Sequence, residues 1–280
     1  MLTVRELTNY GEEYLKQHKI EEPSQNALIL LSLTLKRGST FLKVFSDYMV
    51  SEKDRQNFLS ILEKKAKGEP IAHITGEQEF LGHIFIVDKN VLIPRPETEG
   101  LVEETLRLLK GKAPNRILDL CTGSGCIACS LSLLYQNAEV VGSDVSQKSL
   151  NTAIKNAENL NVAERIKFIK SNLFSKLEGK FDLIISNPPY IPTADISKLQ
   201  KEVLQEPRKA LDGGKDGILY IKKIINSAPE FLNSEGMIAM EIGYQQSEAV
   251  SKLFKKELWQ EVVVKKDIFG VDRYIFSTLK

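Results

Sequence analysis

Several residue types that build common active sites are scarce in this chain. Its 280 residues include one tryptophan, three histidines and three cysteines. His18, His73 and His83 form no i, i+4 pair and no HExxH pattern, so nothing points to a zinc site. Cys121, Cys126 and Cys129 crowd into a single short segment, and an odd, clustered set makes a poor disulfide framework. Their C-x4-C-x2-C spacing matches the start of a plant-type iron–sulfur ligand set, but the fourth cysteine is missing. Reduced thiols and no metal are expected. Excess charge is lacking too: 38 basic residues stand against 37 acidic ones, so no global field draws the protein to nucleic acid or to an anionic membrane. No apolar run approaches the roughly 18 residues of a membrane span. Ala27 to Leu35 comes nearest and is broken by Ser32 and Thr34. The stretch from Met1 to His18 is acidic and polar by its second turn, unlike a secretory signal. A cytoplasmic protein without a membrane partner is the expectation.

What the chain does have is length, and 42% hydrophobic residues, enough for two domains with separate cores. Residues 1 to about 85 read as helical. Thr3-x-x-Glu6 and Ser51-x-x-Asp54 look like capping starts, each followed by apolar residues at three- and four-residue spacing. Leu7, Tyr14, Leu15, Phe58, Leu59 and Leu62 would face a core. Lys67-Gly68-Glu69-Pro70 breaks the last helix. Phe80 to Leu92 then alternates as a hairpin would, with Gly82 near its bend, and Glu97 to Lys110 resumes helical spacing. From Arg116 onward, short β-branched runs (RILDL, AEVVGSD, IKFIKS, FDLIISN, GMIAMEIG) alternate with amphipathic segments, which predicts a parallel sheet with right-handed crossovers. Glu261 to Lys266 and Asp272 to Thr278, joined by DIFGVD, predict an antiparallel pair at the sheet's edge.

Two stretches carry chemistry. The first, Leu118-Asp119-Leu120-Cys121-Thr122-Gly123-Ser124-Gly125, leaves a predicted strand and opens a predicted helix. Glycines at 123 and 125 let the backbone approach a ligand and take positive φ. Asp144, at the end of the next strand, stands where an acid grips ribose hydroxyls. The pair suits either a dinucleotide or an adenosyl cofactor; the full G-x-G-x-x-G is absent, since 121 is Cys and 128 is Ala, which leans away from NAD.

The second stretch, Asn187-Pro188-Pro189-Tyr190, ends the strand FDLIIS on the carboxyl edge, where open α/β sheets bind ligands. Each proline restricts the residue before it, so the Asn187 side chain and the Pro188 carbonyl are held rigid. Two acceptors so placed can take both hydrogens of an –NH2 group, fix its plane and aim its nitrogen at an electrophile. An amide nitrogen needs that help, because its lone pair is delocalised, and Tyr190 can pack against the planar group.

Taken with Leu92-Ile93-Pro94-Arg95-Pro96-Glu97-Thr98-Glu99 and with EPRKALDGGKDG, these motifs resemble the HemK/PrmC family of protein glutamine N5-methyltransferases across nearly the whole chain. The resemblance implies a seven-stranded, Rossmann-like S-adenosylmethionine-dependent methyltransferase sheet with a small N-terminal helical domain and a β-hairpin connector. The expected boundaries are 1–75 for the helical docking domain, 76–93 for the connector and 94–280 for the methyltransferase domain. The implied substrate is the glutamine of the Gly-Gly-Gln motif in class-1 peptide-chain release factors. Asp119 and Cys121 to Gly125 would wrap the methionine end of S-adenosylmethionine, Asp144 would bind its ribose, and Asn172 and Leu173 would lie beside the adenine. Asn187, Pro188, Pro189 and Tyr190 would hold the target amide, with Arg95 and Glu97 close by; the bland reading of Glu97 is a helix-capping acid. Two positions depart from the family's usual form. Cys121 replaces a common glycine, so its backbone should avoid positive φ. Asn172 stands where an acid is frequent and can still bond the adenine amino group through its carbonyl. A ribosomal-protein glutamine is the nearest rival substrate. NPPY also occurs in adenine-N6 DNA methyltransferases, but near-zero net charge counts against a nucleic-acid substrate. A cofactor-binding protein that has lost catalysis is the rival of a different class.

Overall fold

The computed structural model describes residues 1–109 and 111–280. The chain divides into two units, Met1–Gly76 with Gln200–Gln205, and Glu77–Leu199 with Glu206–Lys280.

In the first unit, α1 (Val4–Gln17), α2 (Pro23–Leu35), α3 (Ser39–Val44), α4 (Glu52–Ala66) and α5 (Ile71–Thr75) enclose an apolar cluster. The capping box at Thr3 forms in both directions: the Glu6 N–H donates to Thr3 Oγ1, and Glu6 Oε2 accepts from the Thr3 N–H. Ser51 caps α4 through the Asp54 N–H at 3.1 Å. Each satisfies orphan donors of a first turn and contributes about 1 kcal/mol. Leu7, Leu15, Phe58 and Leu62 are fully buried, while Tyr14 and Leu59 pack at the margin of the cluster. Lys65 is the one lysine in this core; it is 2% exposed and its ammonium meets Glu202 Oε1 at 2.6 Å, a pairing that binds residues 200–205 to the helices.

The second unit opens with a hairpin, β1 (Glu77–Phe80) and β2 (His83–Ile86). It lies earlier than the 80–92 alternation predicts. Leu81 and Gly82 both take positive φ and make the two-residue turn that matches strand twist, so pairing runs outward from 81–82 and is used up by Ile86. Phe80 and Phe85 bury inward, and Asn156 fastens the hairpin by bonding both the N–H and the C=O of Ile86. Then come α6 (Pro96–Leu109), β3 (Arg116–Leu120), α7 (Cys126–Leu134), β4 (Glu139–Asp144), α8 (Gln147–Asn159), β5 (Ile166–Lys170), β6 (Phe181–Ser186), α9 (Arg208–Leu211), α10 (Leu219–Phe231), β7 (Leu232–Glu241), α11 (Ser247–Ser251), β8 (Val263–Lys266) and β9 (Asp272–Thr278). The helix expected over 97–110 is α6; Lys110 lies outside the described residues.

The seven strands order as β5-β4-β3-β6-β7-β9-β8, with β9 antiparallel to both its neighbours and β8 at the edge. Strand order reverses beside β3, where the chain steps out to β4 and β5 and then returns to β6 on the other side. The inner strands are apolar on both faces, as a sheet covered by helices on both sides requires. Among the described residues no helix is long and apolar enough to cross a membrane.

Candidate active site

Register brings the candidate residues into one line. Leu120 on β3 is paired with Ser143 on β4 and with Ser186 on β6, and Ser186 with Met240 on β7. The next residue of each strand therefore falls in a row along the carboxyl edge: Asp144, Cys121, Asn187 and Glu241. This row straddles the point where the strand order reverses, the position at which doubly wound sheets bind ligands.

The loop after β3 is held from beneath. Asp119 is wholly buried; its Oδ2 accepts from Thr122 Oγ1 at 2.5 Å and from the Ala128 N–H at 3.0 Å, pinning the loop to the start of α7. Burial pushes its carboxyl up from 3.8 to about 7, with the Asp144 charge adding to the effect. Thr122 and Ser124 are buried with it, so Asp119 lies under the loop and does not line the cavity. Gly123 and Gly125 take the positive φ expected of them.

Cys121 corrects the sequence reading. Its φ is +67°, in the left-handed region that a side chain was expected to avoid. The reason lies one residue further on. The chain must leave β3 sharply enough for the Thr122 N–H to reach the Ser143 carbonyl at 2.9 Å and the Gly123 N–H to reach Asp144 Oδ2 at 3.1 Å. These two bonds to the end of β4 fix the turn, whichever residue occupies position 121. All three thiols are free, and burial keeps them protonated, with Cys126 pushed up to about 12.

A cavity of about 450 Å³ opens at this edge. Cys121, Gly123, Asp144, Asn172, Leu173, Asn187 and Pro189 line it; Thr122, Ser124, Gly125, Pro188 and Tyr190 do not. Asp144 uses one oxygen for the Gly123 N–H and the other for the Ser146 N–H, which orients its carboxylate, while burial raises its pKa. Asn90 and Tyr220 also line the cavity, as do Arg208 and Lys209 of the EPRKALDGG segment. Sequence reasoning gives none of these four a role: Asn90 and Tyr220 lie in no motif, and Arg208 and Lys209 figure only as part of the EPRKALDGG segment.

Asn187 Nδ2 donates to Thr98 Oγ1 at 2.9 Å, and Thr98 Oγ1 donates in turn to Glu241 Oε2 at 2.7 Å. The other oxygen of Glu241 accepts from the Tyr190 hydroxyl at 2.8 Å. Glu241 is 1% exposed, and burial raises its pKa; the Tyr190 phenol is also raised, by its own burial first and by the Glu241 carboxylate second. Thr98 lies in the PETE segment and Glu241 ends an apolar strand. A carboxylate at the end of such a strand was the available signal for Glu241. Two of the three glycines of GGKDG close over NPPY: a Cβ at Gly213 would stand 2.7 Å from Tyr190 Cα, and one at Gly217 would collide with the Tyr190 carbonyl oxygen.

Arg95 is tied to Glu206, which is buried, and its guanidinium also donates to the Ile93 carbonyl at 2.9 Å. Glu206 Oε2 accepts from the Ile93 N–H at 2.8 Å, so the pair locks the IPRP segment to the EPRKALDGG segment. Neither Arg95 nor Glu97 lines the cavity; Glu97 sits in the first turn of α6, where an acid complements the helix dipole.

Comparison with known proteins agrees with this construction. The methyltransferase small domain matches residues 101–221, and the PrmC N-terminal domain matches residues 6–76. The release factor glutamine methyltransferase of Clostridium botulinum is 36% identical over 98% of this chain and 98% of its own length. That of Geobacter sulfurreducens is 38% identical over 98% of this chain and 95% of its own. A methyltransferase structure from Pyrococcus furiosus shares the fold at a TM-score of 0.52, with 21% identity, covering 81% of this chain and 98% of that one. Identity at this level, sustained from the helical unit through the last strand, places the chain in the release factor glutamine methyltransferase family.

Proposed function

We propose that this enzyme transfers a methyl group from S-adenosylmethionine to the side-chain amide nitrogen of the Gly-Gly-Gln glutamine in class-1 peptide-chain release factors, acting in the cytoplasm without a metal. The observation that carries the reading is the row at the sheet edge. It sets the Asp144 carboxylate and the Asn187 amide on either side of a glycine loop, along one cavity, which supports a nucleoside at the first and an acceptor amide at the second.

The cavity suits the cofactor. Its volume falls within the 300–1,000 Å³ typical of small-ligand sites. A Cβ built at Gly123 meets nothing nearer than 4.0 Å, which leaves room for a ligand against bare backbone. Asp144 would bind the ribose hydroxyls, Asn172 and Leu173 would flank the adenine, and the edge of the loop from Cys121 to Gly123 would meet the methionine end. When bound, S-adenosylmethionine supplies an electrophilic methyl group on a sulfonium.

The chain's own residues then have three tasks. Asn187 Oδ1 and the Pro188 carbonyl accept the two hydrogens of the target –NH2, which fixes the amide plane and concentrates electron density on nitrogen as the bond forms. Pro188 and Pro189 keep these acceptors from rotating away. Tyr190, with its hydroxyl committed to Glu241, supports the strand exit beside the amide. No side chain need act as a base before transfer, because the N-methylated amide sheds its extra proton readily. The helical unit, 1–75, serves as the docking module, and residues 76–93 join it to the methyltransferase domain.

The test is mass spectrometry of purified release factor after incubation with the protein and S-adenosylmethionine, with a Gln→Ala Gly-Gly-Gln variant as control. One added methyl on the wild-type factor alone is expected. An unmodified factor, with cofactor binding established separately, would sink the proposal and turn attention to a ribosomal-protein glutamine.

A further inference from the structure

The carboxylate of Glu241 is costly to bury and does not line the cavity, so its place in the row beside Asn187 needs a reason. We propose that Thr98 and Glu241 together form a polarity lock that decides which end of the Asn187 amide faces the substrate. The proposal rests on the reading that Asn187 accepts a hydrogen from the target amide.

The geometry runs in one direction. An ionised carboxylate has only lone pairs, and both oxygens of Glu241 are taken by donors, Oε2 by the Thr98 hydroxyl and Oε1 by the Tyr190 hydroxyl. Burial is the largest influence against the charged form and Glu97 adds to it, while the Thr98 and Tyr190 hydroxyl donors and then Arg273 favour it. A threonine hydroxyl carries a single proton. With that proton committed to Glu241, Thr98 Oγ1 can only accept from its remaining neighbour. Asn187 must therefore turn its –NH2 toward Thr98, as it does at 2.9 Å, and its carbonyl oxygen is left for the substrate. The reverse rotamer would set two oxygen lone pairs against each other and forfeit the bond.

The steric difference between the two ends of an asparagine amide is small, so shape alone would not discriminate them. Presenting the –NH2 end to a glutamine –NH2 would place donor against donor. The lock thus converts a buried charge, without contact to substrate, into the correct polarity of a group that does make contact. Thr98 and Glu241 are positioning residues in this scheme.

Three variants and one spectroscopic reading test it on the full-length protein. Thr98→Val keeps the shape and removes the hydroxyl; kcat should fall about tenfold or more while calorimetric affinity for S-adenosylmethionine stays within about threefold, because only the orientation of Asn187 is lost. Thr98→Ser restores the hydroxyl and should recover most of the loss. Glu241→Gln, which can donate to Thr98, should also lower kcat, and adding it to Thr98→Val should cost little more, since both break one chain. In the wild-type protein, nuclear magnetic resonance should find an Asn187 Nδ2 proton protected from solvent exchange, with protection lost in Thr98→Val and kept in Thr98→Ser.

A Thr98→Val enzyme with undiminished kcat would overturn the lock, as would a Thr98→Ser enzyme no better than Thr98→Val, or additive losses in the double variant. If Thr98→Val does not fold, an unprotected Asn187 amide in the wild type overturns it equally well. A wild-type enzyme that leaves the release factor unmodified refutes the substrate assignment, and the amide exchange measurement still decides the lock.

Discussion

Gly123 and Gly125 both take positive φ, yet replacing them with alanine should damage different properties. At Gly125, φ is +80° and an added Cβ would stand 2.9 Å from Ala153 Cβ and 3.1 Å from Ala153 Cα on the buried side of α8. The left-handed conformation costs a side chain about 1–2 kcal/mol, and a methyl forced into a packed contact costs about 1–3 kcal/mol more. The lower entropy of unfolded alanine returns about 0.5–1 kcal/mol. Gly125→Ala should therefore lose about 2–4 kcal/mol, which for a unit of this size is a drop of about 5–15 °C in Tm. At Gly123, φ is +55° and the nearest atom to an added Cβ is the Cys121 carbonyl at 4.0 Å, so only the conformational cost applies, about 1 kcal/mol. That methyl, however, stands at the cavity wall, and S-adenosylmethionine affinity should weaken about tenfold or more, a loss of about 1.4 kcal/mol. Thermal denaturation and isothermal calorimetry on both variants separate the two effects. Equal melting temperatures for the two, or a Gly125→Ala protein as stable as wild type, would refute the view that position 125 serves helix packing while position 123 makes room for ligand.

Other substitutions probe the supports of the site. Asp119 is held at about 7 against an ordinary 3.8, so the folded chain binds this proton more tightly than the unfolded chain. Its contribution is full below about pH 3.8 and is lost as pH rises through about 7, amounting to up to about 4 kcal/mol. Tm measured from pH 4 to 8 should accordingly contain a downward component that Asp119→Asn lacks; parallel profiles would contradict it. Cys121→Gly should leave stability within about 1 kcal/mol, because relief of the strained φ is offset by backbone entropy, whereas Cys121→Val should lose more than about 2 kcal/mol. Urea melts of the two variants decide this, and equal stability would argue against strain at 121. Arg95→Met leaves Glu206 buried without its counter-charge and should lose about 3 kcal/mol. Arg95→Met combined with Glu206→Leu should regain part of it, and a double-mutant cycle showing no coupling would dismiss the pair as structural cement.

The strands and helices were legible because their apolar periods are long and their caps are explicit. RILDL, EVVGSD and FDLIIS could each be read as a strand, and Thr3-x-x-Glu6 as a helix start. The hairpin's limits were not, since alternation continues past Ile86 while pairing is dictated by the turn at Leu81-Gly82. Motif reading reached the cavity-lining residues Asp144, Asn172, Leu173 and Asn187, whose chemistry is tied to local sequence. It did not reach the roles of Thr98, Glu206 or Glu241, each of which bonds a partner 111 or 143 residues away, set by register and loop packing. It misjudged Cys121, because a φ angle there is imposed by hydrogen bonds from the two residues that follow.

The shared register of β4, β3, β6 and β7 makes the sheet edge a fixed ruler. Neighbouring strands are spaced by their hydrogen bonds at about 4.8 Å, so Asp144 and Asn187, two strands apart, are held about 10 Å from each other whatever side chains surround them. The separation between the place where a nucleoside is gripped and the place where an acceptor amide is presented is thus a property of the backbone, beyond the reach of any single substitution. Changes of substrate must then be worked in the loops that leave this edge, while deletion of one residue within any of the four strands would shift its end off the line and move the side chains beyond the deletion to the opposite face of the sheet.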